Sequence, residues 1–219
     1  MEFISEPFFP YLIAALIGLA IYSHFSEKKR SQELKLLATE MNFDFSNLIR
    51  PNTKNKLDCF NLFNQGHSKC FKNEIWGLGH GNNISIFEYS YTLGHGKYRK
   101  IYNQTALLIQ CNDFYFPEFE LKPESLFDKV KEMFGAQDID FESYPKFSKK
   151  YLLRGKNEDE IRTIFPLKVI RFFESKHNFC TEAKGNYFLF YKSSERCEPY
   201  QISEFIETGQ RVLTRFINT

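Results

Sequence analysis

Two Gly-His-Gly triplets, Gly79-His80-Gly81 and Gly94-His95-Gly96, place imidazoles where a metal ion could be held, with Glu88 between them as a third ligand. The spacing argues against that chemistry. A strand predicted over Ile84 to Thr92 lies between the two turns, and nine residues at about 3.3 Å each span about 30 Å. His80 and His95 therefore sit at opposite ends of one strand and cannot share an ion. Glycine is at home there because tight turns need positive φ. Gly94-His95-Gly96-Lys97 also resembles part of a phosphate loop. That motif needs Ser or Thr after the lysine and a helix after the loop, whereas Tyr98 and a further strand follow here.

The acidic clusters are equally bland. Asp138, Asp140 and Glu142 lack the register of a calcium loop. Glu158, Asp159 and Glu160 fall in a first helical turn, where carboxylates complement the helix dipole. No Gly-x-Ser-x-Gly elbow, His-Glu-x-x-His or His-x-Glu pattern occurs. Cys59, Cys70, Cys111, Cys180 and Cys197 are odd in number and form no CxxC pair, which suits reduced thiols. No catalytic, cofactor-binding or metal-binding residue is assigned. A hydrolase-like site, if one exists, would draw on Glu88, Tyr89, Tyr91, Gln104 and His95 around the first strands.

Those residues need elements to position them. Leu34, Leu37, Ala38 and Met41 recur at helical spacing, and 42–73 reads as short strands and loops. Strands follow over 73–78, 84–92 and 98–111, joined by the two glycine turns as an antiparallel meander. A fourth strand covers 118–121. Pro123 is placed to open a helix carrying Leu126, Phe127, Val130, Met133 and Phe134, ended by Gly135. Residues 145–149 make one helical turn and 151–154 a strand. Asn157 caps a helix that Pro166 interrupts, and 167–173 resumes it. A hairpin pairs 179–183 with 187–191, and a helix over 199–218 closes the chain. The fold class is α+β: an antiparallel sheet with flanking helices.

Ahead of this domain, Phe8 to Phe25 contains no charged residue, and Ser26-Glu27-Lys28-Lys29-Arg30 ends the run. At 18 residues it passes the workable minimum for a membrane-spanning helix. The start is acidic and no small-residue cleavage site follows, unlike a secretory signal. The expected organisation is an outward N-terminus over 1–7, a transmembrane helix over 8–25, a juxtamembrane amphipathic helix over 26–41 and a globular domain over 42–219. Lys28, Lys29, Arg30 and Lys35 follow the segment and none precedes it. The positive-inside tendency then puts the domain in the cytoplasm of a bacterium, anchored in its inner membrane.

Composition is that of a globular chain, 42% hydrophobic and 26% charged, with 25 Phe and 12 Tyr to fill the core. A formal net charge of +2 without a basic block argues against nucleic-acid binding. The stretch Ile86-Phe87-Glu88-Tyr89-Ser90-Tyr91-Thr92 resembles a hydrophobic-Phe-Asp-Tyr-x-Tyr run in a family of uncharacterised bacterial proteins. Gln104-Thr105-Ala106, Phe119-Glu120-Leu121-Lys122-Pro123-Glu124, Gly135 to Phe141 and Pro145 to Gly155 extend the likeness over about residues 30 to 217. Glu88 stands where that family carries Asp. The resemblance implies bacterial origin and membrane attachment and carries no activity.

The sequence thus favours a non-catalytic, single-pass membrane-anchored binding or scaffold module. Its partners would be membrane lipid through the N-terminal helix and a further protein. The alternatives are a membrane-tethered enzyme with an unrecognised site, and a sensor holding a lipid or small ligand in an aromatic-lined cavity.

Overall fold

The computed structural model describes residues 8–125, 138–176 and 178–217. Its centre is one antiparallel sheet of β1 (Asp44–Ser46), β2 (His67–Gly79), β3 (Asn82–Leu93), β4 (Lys100–Gln110), β5 (Phe116–Pro123), β6 (Tyr151–Gly155), β7 (Phe179–Gly185) and β8 (Tyr187–Lys192). The spatial order is β1-β2-β3-β4-β8-β7-β5-β6. The expected meander is β2 to β4, and the expected hairpin is β7 with β8. The hairpin inserts beside β4, in register Ala106 with Tyr191, and so separates β4 from β5.

Among the described residues seven helices flank the sheet: α1 (Phe8–Glu40), α2 (Pro51–Leu57), α3 (Asn61–Asn64), α4 (Pro145–Lys150), α5 (Glu158–Ile164), α6 (Leu167–Ser175) and α7 (Ile202–Ile217). Strand alternation divides the apolar residues between two faces. Ile84, Ile86, Leu107, Ile109, Phe188 and Phe190 pack with Leu34 and Ala38 of α1, with α6, and with Ile206, Val212, Leu213 and Phe216 of α7. On the other face Phe87, Tyr89, Tyr91, Leu108, Leu189 and Tyr191 lie against Leu57, Phe60, Leu62 and Phe63 around α2 and α3. Farther along this second face, β7, β5 and β6 carry Glu182, Glu120, Lys122 and Arg154 instead.

Two expectations require correction. Residues 42–73 hold α2 and α3 besides strands. Pro51 stands at the start of α2, but only Thr53 and Leu57 are buried from that helix, too little apolar periodicity to be read. The helix expected from Pro123 to Gly135 lies mostly outside the described residues, and Pro123 itself ends β5.

The larger correction concerns the N-terminus. Among the described residues no helix is long and apolar enough to cross a membrane. At 1.5 Å per residue, Phe8 to Phe25 extends about 27 Å, short of a hydrocarbon core of about 30 Å. Pro10, Tyr11, Gly18, Tyr22, Ser23 and His24 dilute its apolarity. The transmembrane part of the expected fold, the single-pass arrangement, the outward N-terminus and the inner-membrane placement fall with that segment. The amphipathic helix expected over 26–41 continues the same α1, burying Leu34 and Ala38. The preceding turns leave Leu16, Ile17, Leu19, Ile21 and Phe25 exposed.

Candidate binding site

A cavity of about 550 Å³ opens beside α3, over β5, β6 and β7, at the polar end of the second sheet face. Pockets that take small ligands commonly measure about 300–1,000 Å³. Cys59, Phe60 and Asn61 form one wall, and Glu118, Glu120, Arg154, Lys156 and Glu182 bring charge to the others. Glu120 and Glu182 are in register across β5 and β7, so alternation puts both carboxylates on this face.

Glu182 is held on three sides. Its Oε2 accepts from the Asn61 backbone N–H at 2.5 Å, and its Oε1 accepts from the Leu62 N–H and the Tyr191 hydroxyl, each at 3.1 Å. The two amides are those that a helix start leaves without intrahelical partners, so the carboxylate closes the beginning of α3. Burial, and then the negative charge of Glu120, push the Glu182 carboxyl well above the usual carboxylate range, against the pull of the two amides and of Lys122. Lys122 donates to Glu120 at 3.0 Å from the next position on the same face of β5. At the rim Glu118 pairs with Lys156 at 2.8 Å and Lys184 at 3.1 Å, which hold it below the ordinary range although burial opposes them. The cavity therefore joins an aromatic wall to hydrogen-bond acceptors fixed within the fold.

A second group of charges belongs to the opposite face. Glu88 accepts from Arg30 Nε at 2.6 Å, Arg196 at 2.6 Å and Asn73 at 2.8 Å, and Arg196 continues to Glu27 of α1. These contacts bind α1 to the sheet.

Of the residues singled out for a hydrolase-like site, Glu88, Tyr89 and Gln104 line one cavity of about 440 Å³ with Ser194 and Arg196, whereas Tyr91 and His95 lie outside that lining. Glu88 faces α1, whereas Tyr89 and Tyr91, one position away on either side of a strand residue, belong to the other face. Gln104 lies opposite Tyr89 and accepts from the Ser194 N–H, while Tyr91 bonds Gln65. His95 stacks on His67 at 4.7 Å beyond the end of β3, and His80 occupies the turn at its other end. Among the described residues no group of three His, Cys, Asp or Glu side chains is placed to hold a metal ion. Asn157 does cap α5, accepting from the Glu160 N–H, with Glu158 to Glu160 in the first turn. The five cysteines are free, and burial raises the thiols of Cys59, Cys111, Cys180 and Cys197, which opposes nucleophilic use.

The fold has a solved counterpart. The chain is similar to the crystal structure of the mycobacterial trehalose monomycolate transport factor A, with a TM-score of 0.61 and 12% identity over 85% of this chain and 95% of that one. At that identity the likeness establishes the fold. No family model and no curated protein matches the chain.

The cavity was not visible in the sequence. Glu118, Glu120, Lys122 and Glu182 alternate with apolar neighbours as they would on an ordinary solvent-facing strand, and only the strand order brings β5 beside β7.

Proposed function

We propose that this protein is a non-catalytic binding module for a lipid-like amphiphile, whose hydroxyl-bearing head enters the cavity over β5, β6 and β7. The observation that carries this reading is the buried Glu120–Glu182 pair in a cavity walled by Phe60. Carboxylates accept from hydroxyl groups, Arg154 and Lys156 donate to them, and the aromatic wall takes the apolar carbon. The solved neighbour of the same fold is a trehalose monomycolate transport factor, which supports a ligand of this class. The exposed apolar turns of α1 offer lipid a second place of contact. Turnover is disfavoured because Glu182 is engaged by Asn61, Leu62 and Tyr191, and Glu120 by Lys122.

The test is calorimetric titration with matched eight-carbon amphiphiles below their micelle concentrations: an uncharged alkyl glycoside, an alkyl sulfate and an alkyl trimethylammonium. The glycoside should bind, and Glu120→Gln should weaken it about tenfold, the value of a hydrogen bond to a charged group. Cys59→Trp, which narrows the cavity without touching a carboxylate, should also weaken it. Equal binding of all three heads, or binding indifferent to both substitutions, would sink the reading.

A further inference from the structure

Six cations scattered through the last quarter of the chain meet in one groove. Lys168 and Arg171 of α6, Lys176 just beyond it, Lys192 at the end of β8, and Arg211 and Arg215 of α7 line a cleft of about 780 Å³. Glu204 is the only acidic residue in that lining. Six positive charges against one carboxylate is a strong local excess in a chain whose formal net charge is +2.

The arrangement works against the fold's own stability. Lys168 and Arg171 are three apart on one helix, and Arg211 and Arg215 four apart on its neighbour. Like charges at those spacings disfavour a helix. Carboxylates outside the lining give partial relief, among them Glu195, which pairs with Lys192 at 2.5 Å, and Glu207, which approaches Arg211 at 3.6 Å. The groove is also preorganised. The Arg215 guanidinium lies 5.2 Å over the Phe172 ring and the Lys192 ammonium 5.0 Å over Phe179, so aromatic faces steady two of the cations.

We propose that the groove between α6 and α7 is a binding site for a phosphate-bearing anion, a phosphomonoester or a pyrophosphate group. Guanidinium forks match phosphate oxygens in pairs, and lysines add point charge. A single concave groove suits one or two phosphates better than a strand, which needs a basic track along its backbone. The groove shares no lining residue with the cavity over β5 to β7, so the two sites stand or fall separately.

Pyrophosphate titrated into the full chain should bind saturably, and more weakly as salt is raised. Arg171→Gln and Arg215→Gln should each reduce affinity about fivefold, and Lys168→Gln gives a third reading at an exposed position. Lys97→Gln, on the turn between β3 and β4, should change nothing. Sedimentation with phosphatidylcholine vesicles, with and without one-fifth phosphatidate, separates the sources. Phosphatidate-dependent pelleting lost in the groove variants identifies a lipid headgroup, and pyrophosphate binding without pelleting identifies a soluble phosphate ester. The proposal is overturned if the folded variants bind both probes like the parent, if neither probe binds, or if a single-stranded oligonucleotide displaces pyrophosphate at far lower concentration.

Discussion

Glu182 of β7 and Glu120 of β5 stand directly opposite one another across paired antiparallel strands, 2% and 6% exposed. Like charges in that relationship destabilise a sheet, and Lys122 pairs directly with Glu120 while acting on Glu182 only at a distance. The pair therefore sets a pH dependence as well as a binding surface. The folded carboxyl of Glu182 is raised by burial and by Glu120, so the native state holds its proton more tightly than the unfolded chain does. Its contribution is fully present below the unfolded carboxyl value of about 4.3 and is lost as pH rises through the raised folded value.

Melting temperature should consequently fall with rising pH through that interval, and Glu182→Gln should remove that slope. Glutamine is isosteric and keeps one acceptor oxygen, for the Leu62 amide and the Tyr191 hydroxyl, at the expense of the Asn61 amide, so the variant should fold with a modest loss. Glu27, Glu74 and Glu118, whose carboxyls are lowered, act in the opposite sense and lose stability on acidification. The difference between parent and variant isolates Glu182. Parallel curves for the two proteins would refute the assignment.

Glu74 is the structural counterpart of that pair. Its fully buried carboxylate accepts from Arg50 through the backbone N–H, Nε and a terminal nitrogen, and from the Thr53 and Ser85 hydroxyls. Burial works to raise this group, and the Arg50, Ser85 and Thr53 bonds overcome it. Glu74→Ala should destabilise by about 2–3 kcal/mol, because it leaves the half-buried Arg50 and the Thr53 and Ser85 hydroxyls without their common acceptor. Arg50 also lies 3.9 Å over Trp76, the chain's single tryptophan, so native fluorescence should change as well. Urea unfolding followed at Trp76 reads both effects. A loss below about 1 kcal/mol would mean that the network is not cooperative.

Much of the architecture was legible because it is periodic. The meander follows from β-rich runs between glycine turns, and α7 from Ile202, Phe205, Ile206, Val212, Leu213 and Phe216. The strand order was not legible, since nothing local tells β4 to accept β8 before β5. Both candidate sites depend on that long-range order: the cavity on Glu120 meeting Glu182, the basic groove on residues 168 to 215 converging. The absence of a basic block argued against nucleic-acid binding, and the groove escaped notice because charge was counted along the chain. The apolar run Phe8 to Phe25 misled in the opposite way, since freedom from charge was weighed above its short length and its polar interruptions.

Glu88 tests how α1 is attached. Arg30 and Glu88 side chains are 11% and 9% exposed, and Arg196 bridges Glu88 to Glu27. Glu88→Gln removes the buried ionic partner shared by Arg30 and Arg196, leaving Arg30 with the exposed Glu198, and should cost about 2–3 kcal/mol. The loss should be local at first, with faster amide exchange over residues 27–40 while β3 and β4 stay protected. Uniform acceleration across the sheet would show that α1 and the sheet open as one unit.

Gly209 is the sharpest probe of packing between α7 and the sheet. Helix propensity alone favours alanine over an interior glycine by about 1 kcal/mol. Contact opposes it, because a Cβ there would lie 2.4 Å from Leu107 Cδ2 and 3.1 Å from Phe190 Cδ1. Leu107 and Phe190 are wholly buried in the core that α7 closes, so neither can swing into solvent. Overpacking of this kind costs about 1–3 kcal/mol. Gly209→Ala should therefore be net destabilising, and Gly209→Val more so. Gly209→Ala with Leu107→Ala should relieve the clash while leaving a cavity, so the two losses should not add. Denaturant midpoints of the three variants decide it, and a stabilising Gly209→Ala would mean that α7 stands farther from β4 than these distances imply.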